Sequence, residues 1–125
     1  MKKNKTIDIS VNSEYIADQS RPGDKHFVFA YTVTVRNHGD TPAQLVSRHW
    51  VITDSNGRTE EVRGEGVVGE QPWVQPGDGF QYSSGAVLET AVGTMHGSYQ
   101  MQTPTGDSFE ADIPQFVLSI PRTLH

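Results

Sequence analysis

Phe27, Phe29, Tyr31, Val33 and Val35 alternate with less apolar neighbours without a break. Period-two alternation is the mark of a strand with one buried face. The same period recurs in Ile7, Ile9 and Val11, in Met95, Gly97, Tyr99 and Met101, and in Phe109, Ala111 and Ile113. Val, Ile and Thr total 30 residues against 13 for Leu, Ala and Met. Branching at Cβ restricts χ1 and suits a pleated strand better than a helix. With 12 Gly and 7 Pro spread along the chain, few windows stay free of breakers for three helical turns. The expected fold is all-β, an antiparallel sandwich of seven to eight short strands in two sheets. A five-stranded barrel is the alternative.

The chain has 125 residues, which supports one domain, 1–125, with residues 1–6 expected to be disordered. Apolar residues make up 34%, enough for one core, and charged residues 20%. A net charge of −5 argues against a broad polyanion-binding face, so no nucleic acid is expected. No apolar run approaches the ~20 residues of a membrane span, and Ile7-Asp8-Ile9-Ser10 is too broken for a signal-peptide core. A cytoplasmic protein without membrane insertion is expected. Cysteine is absent, which excludes disulfides, thiolate metal sites and a cysteine nucleophile.

Turns fall between the periodic runs. Arg21-Pro22-Gly23-Asp24, Asn37-His38-Gly39-Asp40, Asp54-Ser55-Asn56-Gly57 and Pro104-Thr105-Gly106-Asp107 all carry turn chemistry. Residues 44–53 and 59–68 read as a hairpin pair around Asn56-Gly57. Pro72 to Asp78 reads as a connector that cannot join a central ladder. Phe80 and Tyr82 begin a short strand, and Phe116 to Pro121 form a further edge strand.

One motif has a chemical name. Gly64-Glu65-Gly66-Val67-Val68-Gly69 matches G-x-G-x-x-G. Dinucleotide binding by this spacing needs a following helix, whose N-terminus offers N–H groups to the pyrophosphate. Here Pro76 has no N–H to give to residue 72, and both prolines push Gln71 and Gln75 towards extended geometry. A sheet-like placement is expected instead, with Val62, Gly64, Gly66 and Val68 on one face. The glycines would then leave space for a large neighbour such as Trp50 or Trp73, or allow a bulge. A loop of exposed N–H groups can hold a small anion such as pyrophosphate without a helix. That makes Arg63, Gly64, Gly66 and Gly69 the candidate anion-binding residues, although four acids outnumber two bases between residues 58 and 70.

Other chemistry is thinly marked. The five histidines form no H-x-H, H-x-x-x-H or H-E-x-x-H spacing, so no metal site is expected. Ser83-Ser84-Gly85 lacks a nucleophile elbow, and nothing specifies catalytic residues or a cofactor, so a non-enzyme is expected. Trp73 lies between Pro72 and Pro76 and is expected to tuck against the sandwich. An exposed Trp73 is a natural anchor for a protein interface, and a sheet edge offers a second route by strand addition.

From Val62 to Pro72 the sequence resembles the ApaG family, also called CorD. The resemblance extends upstream through Phe29-Ala30-Tyr31-Thr32-Val33, Asn37, Arg48-His49-Trp50, Ile52-Thr53 and Asn56-Gly57. Downstream it takes in Pro76-Gly77, Tyr82-Ser83-Ser84-Gly85, Gly93-Thr94-Met95, Gly97, Tyr99, Met101, Asp112-Ile113-Pro114, Phe116 and the Leu124-His125 ending. The resemblance implies a small bacterial protein with an immunoglobulin- or fibronectin type III-like sandwich. It further implies an association with cobalt resistance and magnesium efflux, and a gene beside those for a diadenosine-tetraphosphate hydrolase and an rRNA adenine dimethyltransferase. Similar domains in F-box proteins and in a protein that binds DNA polymerase delta imply an interaction module. The expected reading is a binding protein with an unknown protein partner, or with pyrophosphate as a small-anion ligand, acting as a monomer or weak homodimer.

Overall fold

The computed structural model describes residues 2–3 and 6–121. The Leu124-His125 ending lies outside the described residues. So do Met1, Asn4 and Lys5 of the segment expected to be disordered, whereas Lys2–Lys3 form a two-residue strand, β1. Eight further strands follow: β2 (Ile7–Tyr15), β3 (Phe27–Asn37), β4 (Ala43–Asp54), β5 (Thr59–Glu65), β6 (Trp73–Val74), β7 (Gly79–Leu88), β8 (Val92–Gln102) and β9 (Ser108–Ser119). Seven are long, in agreement with the alternation, and β1 and β6 are two-residue additions. Short 3-10 turns at Ala17–Gln19 and Pro22–Asp24 bridge β2 and β3.

The strands form two sheets. One has the order β1-β9-β8-β4-β5, with β6 also pairing β4, and the other is β2-β3-β7. All pairings are antiparallel except β1 with β9. The fold is thus an all-β sandwich. Alternate residues point inward, as the pleat requires. Phe29, Tyr31, Val33 and Val35 of one sheet meet Leu45, Trp50, Met95, Tyr99, Met101, Ile113 and Leu118 of the other. Trp50 sits at the centre of an aromatic cluster, 5.3 Å from Tyr31, 6.4 Å from Tyr99 and 6.0 Å from Phe116.

Several strands depart from the expected limits: β5 stops at Glu65 rather than at 68, and the segment expected to be a connector contributes β6, which pairs with β4. The final segment is no separate edge strand, because β9 runs unbroken from Ser108 to Ser119 through Pro114. Pro114 falls where the β8–β9 register shifts between Met95 and Gly97, so its missing N–H coincides with a bulge. The strand begun by Phe80 continues to Leu88 as an edge strand.

The two long sides of the sandwich differ. On one, β2 lies against β9, and the Ser13 hydroxyl donates to the Val117 carbonyl at 3.0 Å. On the other, β5 and β7 are both edge strands. Cavities of about 380 Å³ and 300 Å³ open along that side.

Candidate functional site

The glycine run lies on the open side, and its glycines are required for different reasons, close contact at Gly64 and Gly66 and backbone conformation at Gly69. Gly64 is the inward-facing residue of β5 directly opposite Arg48 of β4. A Cβ at Gly64 would lie 2.7 to 2.8 Å from the three terminal atoms of the Arg48 guanidinium. The space expected for Trp50 or Trp73 is therefore filled by Arg48, because cross-strand register decides which side chain lies over a glycine. Gly66 has φ +60°, and a Cβ there would lie 2.0 Å from the Glu70 carbonyl oxygen. Gly69 meets nothing within 4 Å but has φ +79°.

Beyond β5 the chain makes a two-residue hairpin turn. The Val67 N–H donates to the Glu70 carbonyl at 2.8 Å, and the Glu70 N–H donates back to Val67 at 2.9 Å. Val68 and Gly69, the central residues, both have positive φ, at 44° and 79°. Both signs match a primed hairpin turn, whose twist suits the flanking strands. The expected common face of Val62, Gly64, Gly66 and Val68 therefore ends at Gly64, the last of the four within β5. Val67 is buried and Val68 is 63% exposed. A β-branched residue at positive φ is strained by about 1–3 kcal/mol. Burial of Val67, worth about 1.5–3 kcal/mol, offsets that strain.

The run's backbone holds the arginine. Arg48 Nη1 donates to the carbonyls of Glu65 at 3.1 Å and Gly66 at 2.8 Å. The Gly66 N–H is itself bonded to the Val46 carbonyl at 2.8 Å, and the Gln71 amide donates to the same oxygen at 2.9 Å. Arg63, also proposed from sequence, is not brought to this group. It pairs in register with His49 and lies on the opposite face of β5 from Gly64. There its Nη2 lies 3.8 Å from Glu61, which also bonds His49 Nε2 at 2.7 Å. Trp73 is 45% exposed rather than tucked in, on the short β6 opposite Gln44.

Arg48 faces a cavity of about 300 Å³, lined also by Tyr31, Trp50, Val67, Val68, Tyr82 and Ser84. Burial pushes the Tyr31 hydroxyl pKa up, with a Ser84 hydrogen bond and the Arg48 charge acting the other way. Tyr82 is pushed up to about 12 by burial, and Tyr99, hydrogen-bonded to it, higher still. These phenols are neutral donors and acceptors at physiological pH. Trp50 Nε1 is buried with no hydrogen-bond partner among the described residues, a state that costs about 1–3 kcal/mol. Sequence reading passed over Arg48. Its alternation with Trp50 and Ile52 was the available signal, since it puts a charge on an inward face.

Among the described residues no group of three or more His, Asp or Glu is placed to hold a metal ion. No helix among them is long and apolar enough to cross a membrane.

The fold and site together define a small two-sheet β-sandwich with one sealed side and one open, arginine-bearing side. Residues 17–103 match the family model of the ApaG domain, and the chain belongs to the ApaG family. It is 58% identical over 127 residues to Protein ApaG of Azoarcus sp., with all of both chains covered. It is also 58% identical to Protein ApaG of Thiobacillus denitrificans, covering 95% of this chain and 94% of that one. Among solved structures it is similar to the ApaA protein of Bordetella pertussis, with 49% identity and a TM-score of 0.91. That match covers 94% of this chain and 95% of the other.

Proposed function

We propose that this chain is a non-enzymatic binding protein of the cytoplasm that takes a protein partner on its open side. The observation that carries this reading is the free edge of β7. Among the described residues this ten-residue strand pairs only with β3, and its Tyr82, Ser84, Val87 and Leu88 line the open-side cavities. An unpaired edge offers a row of backbone donors and acceptors to an added strand. Two apolar side chains near that side, Val87 at 54% exposure and Trp73 at 45%, can serve as anchors. Any part in cobalt resistance or magnesium efflux then runs through the partner, and calorimetry with Co²⁺ or Mg²⁺ alone is expected to show no binding heat. The protein works as a monomer or as a weak homodimer.

The test is affinity capture from bacterial lysate with the wild-type chain, with Trp73→Ala and with Val87→Lys, which places a charge beside the edge. A partner held by wild type and lost from either folded variant supports the reading. The same proteins retained by all three forms, or none retained specifically, contradict it.

A second reading is binding of a small anion such as pyrophosphate at the glycine run, Gly64, Gly66 and Gly69, without Arg63, which lies on the opposite face of β5 from Gly64. Its support is the positive-φ turn at Val68 and Gly69, since such turns can form anion-binding concavities. Movement of the Gly64, Gly66 and Gly69 amide signals in a pyrophosphate titration tests it, and unmoved signals at millimolar ligand end it.

A further inference from the structure

We propose that the cavity beside the glycine run is a carboxylate-binding pocket anchored by Arg48, with the ligand's apolar body against Trp50, Tyr31 and Val68. The proposal concerns a small ligand or a chain end, and stands whether or not β7 accepts a strand.

Four observations carry it. First, Arg48 is partly buried and has no carboxylate within ion-pair distance among the described residues. Its Nη1 is satisfied by the Glu65 and Gly66 carbonyls, while Nη2 and Nε donate to no protein atom there. A planar guanidinium with two adjacent free donors matches the two oxygens of a carboxylate. Second, the guanidinium is positioned in advance. Gly64 underlies it so closely that a single methyl group would displace it, and two carbonyls fix its orientation. Third, the cavity is lined by the aromatic residues Tyr31, Trp50 and Tyr82 together with Ser84, a mixture typical of small-ligand pockets. Trp50 in the same lining carries an N–H with no partner among the described residues. Fourth, the strained Val68 holds an apolar side chain out at the rim, and strain of that kind gathers at ligand contacts.

Charge selects the class of anion. One guanidinium balances a monoanion. Glu65 also lines the cavity, Arg63 faces the other way, and a polyphosphate would lack the further cations it needs.

Benzoate, titrated into ¹⁵N-labelled protein, is the probe. The expected result is saturable movement of the Val67, Val68, Gly69 and Ser84 amides and of the Trp50 indole N–H, with Kd of order 1 mM, a fragment's affinity. Benzamide, the uncharged isostere, is expected to leave them in place. Arg48→Gln and Gly64→Ala are each expected to weaken binding by about tenfold or more. Gly64→Ala keeps the arginine but moves its guanidinium, so it decides the matter if thermal melting shows that Arg48→Gln does not fold. N-acetylphenylalanine and its amide distinguish the source of the carboxylate. Acid binding more tightly than benzoate, with loss on amidation, identifies a peptide chain end, and acid binding no tighter identifies a free small carboxylate. The proposal is overturned by any of four results: no saturable shift with benzoate, equal shifts with benzamide, unchanged binding in folded Arg48→Gln or Gly64→Ala, or tighter binding of pyrophosphate at the same residues.

Discussion

The sealed side and the open side of the sandwich do different work. Where β2 meets β9, Ile7, Ile9, Ile113 and Leu118 are buried and the backbone is extended. Where β5 faces β7, the molecule carries a valine at positive φ and, among the described residues, a half-free arginine and a buried indole N–H without a partner. The valine at positive φ and the unpartnered indole N–H each lower stability, and both are tolerated because packing on the opposite side and the buried Val67 offset them. Strain and unmatched donors collected on one open face mark that face as the one that meets other molecules.

The contrast can be broken most forcefully at Leu118. It is fully buried, and Leu118→Ala is expected to cost about 3 kcal/mol in denaturant unfolding. A loss below about 1 kcal/mol would show that the sealed side is not where stability resides. On the open side one backbone position is expected to approach that size. Gly66→Ala places a methyl group against the Glu70 carbonyl at an unfavourable φ. A destabilisation of about 2 kcal/mol or more is expected, with loss of the Val67–Glu70 hairpin signals in NMR.

Between the two sides lies the Tyr82–Tyr99 hydroxyl pair. Burial raises Tyr82 from the ordinary 10.0 to about 12 and Tyr99 further. The folded chain keeps these protons while the unfolded chain releases them. Stability should therefore be level below about pH 10 and fall above it, by up to about 1.4 kcal/mol per pH unit for each tyrosine. Denaturant midpoints measured at several pH values between about 9 and 11 check this. Tyr99→Phe should flatten the fall, and a flat wild-type profile would contradict the burial described. The smallest effects belong to the rim. Val68→Gly should stabilise by about 1 kcal/mol through relief of strain. Gly64→Ala should change stability by only about 0.5 kcal/mol, because a flexible guanidinium can give way.

These positions also show what could be read in advance. Alternation at 27–35 and 95–101 identified core strands, because a pleat exposes every second residue to the core. The prolines at 72 and 76 excluded a helix after the glycine run on backbone grounds alone. The occupant of the space over Gly64 could not be read, since it depends on the register that sets Arg48 opposite. The unbroken β9 was hidden for a similar reason. Pro114 reads as a strand breaker until the bulge near His96 is known. Gly97 gave no signal beyond its place in an alternation, yet a Cβ there would lie 2.0 Å from the His49 carbonyl oxygen.

The central claim is that the glycine run ends a strand in a hairpin whose carbonyls grip Arg48. Amide hydrogen exchange along residues 64–70 tests it most directly. Gly66, Val67 and Glu70 donate to Val46, Glu70 and Val67, so their amides should exchange slowly while Val68 and Gly69 exchange fast. Uniformly fast exchange at Gly66, Val67 and Glu70 would contradict the account, because those N–H groups would then be free rather than committed to the sheet.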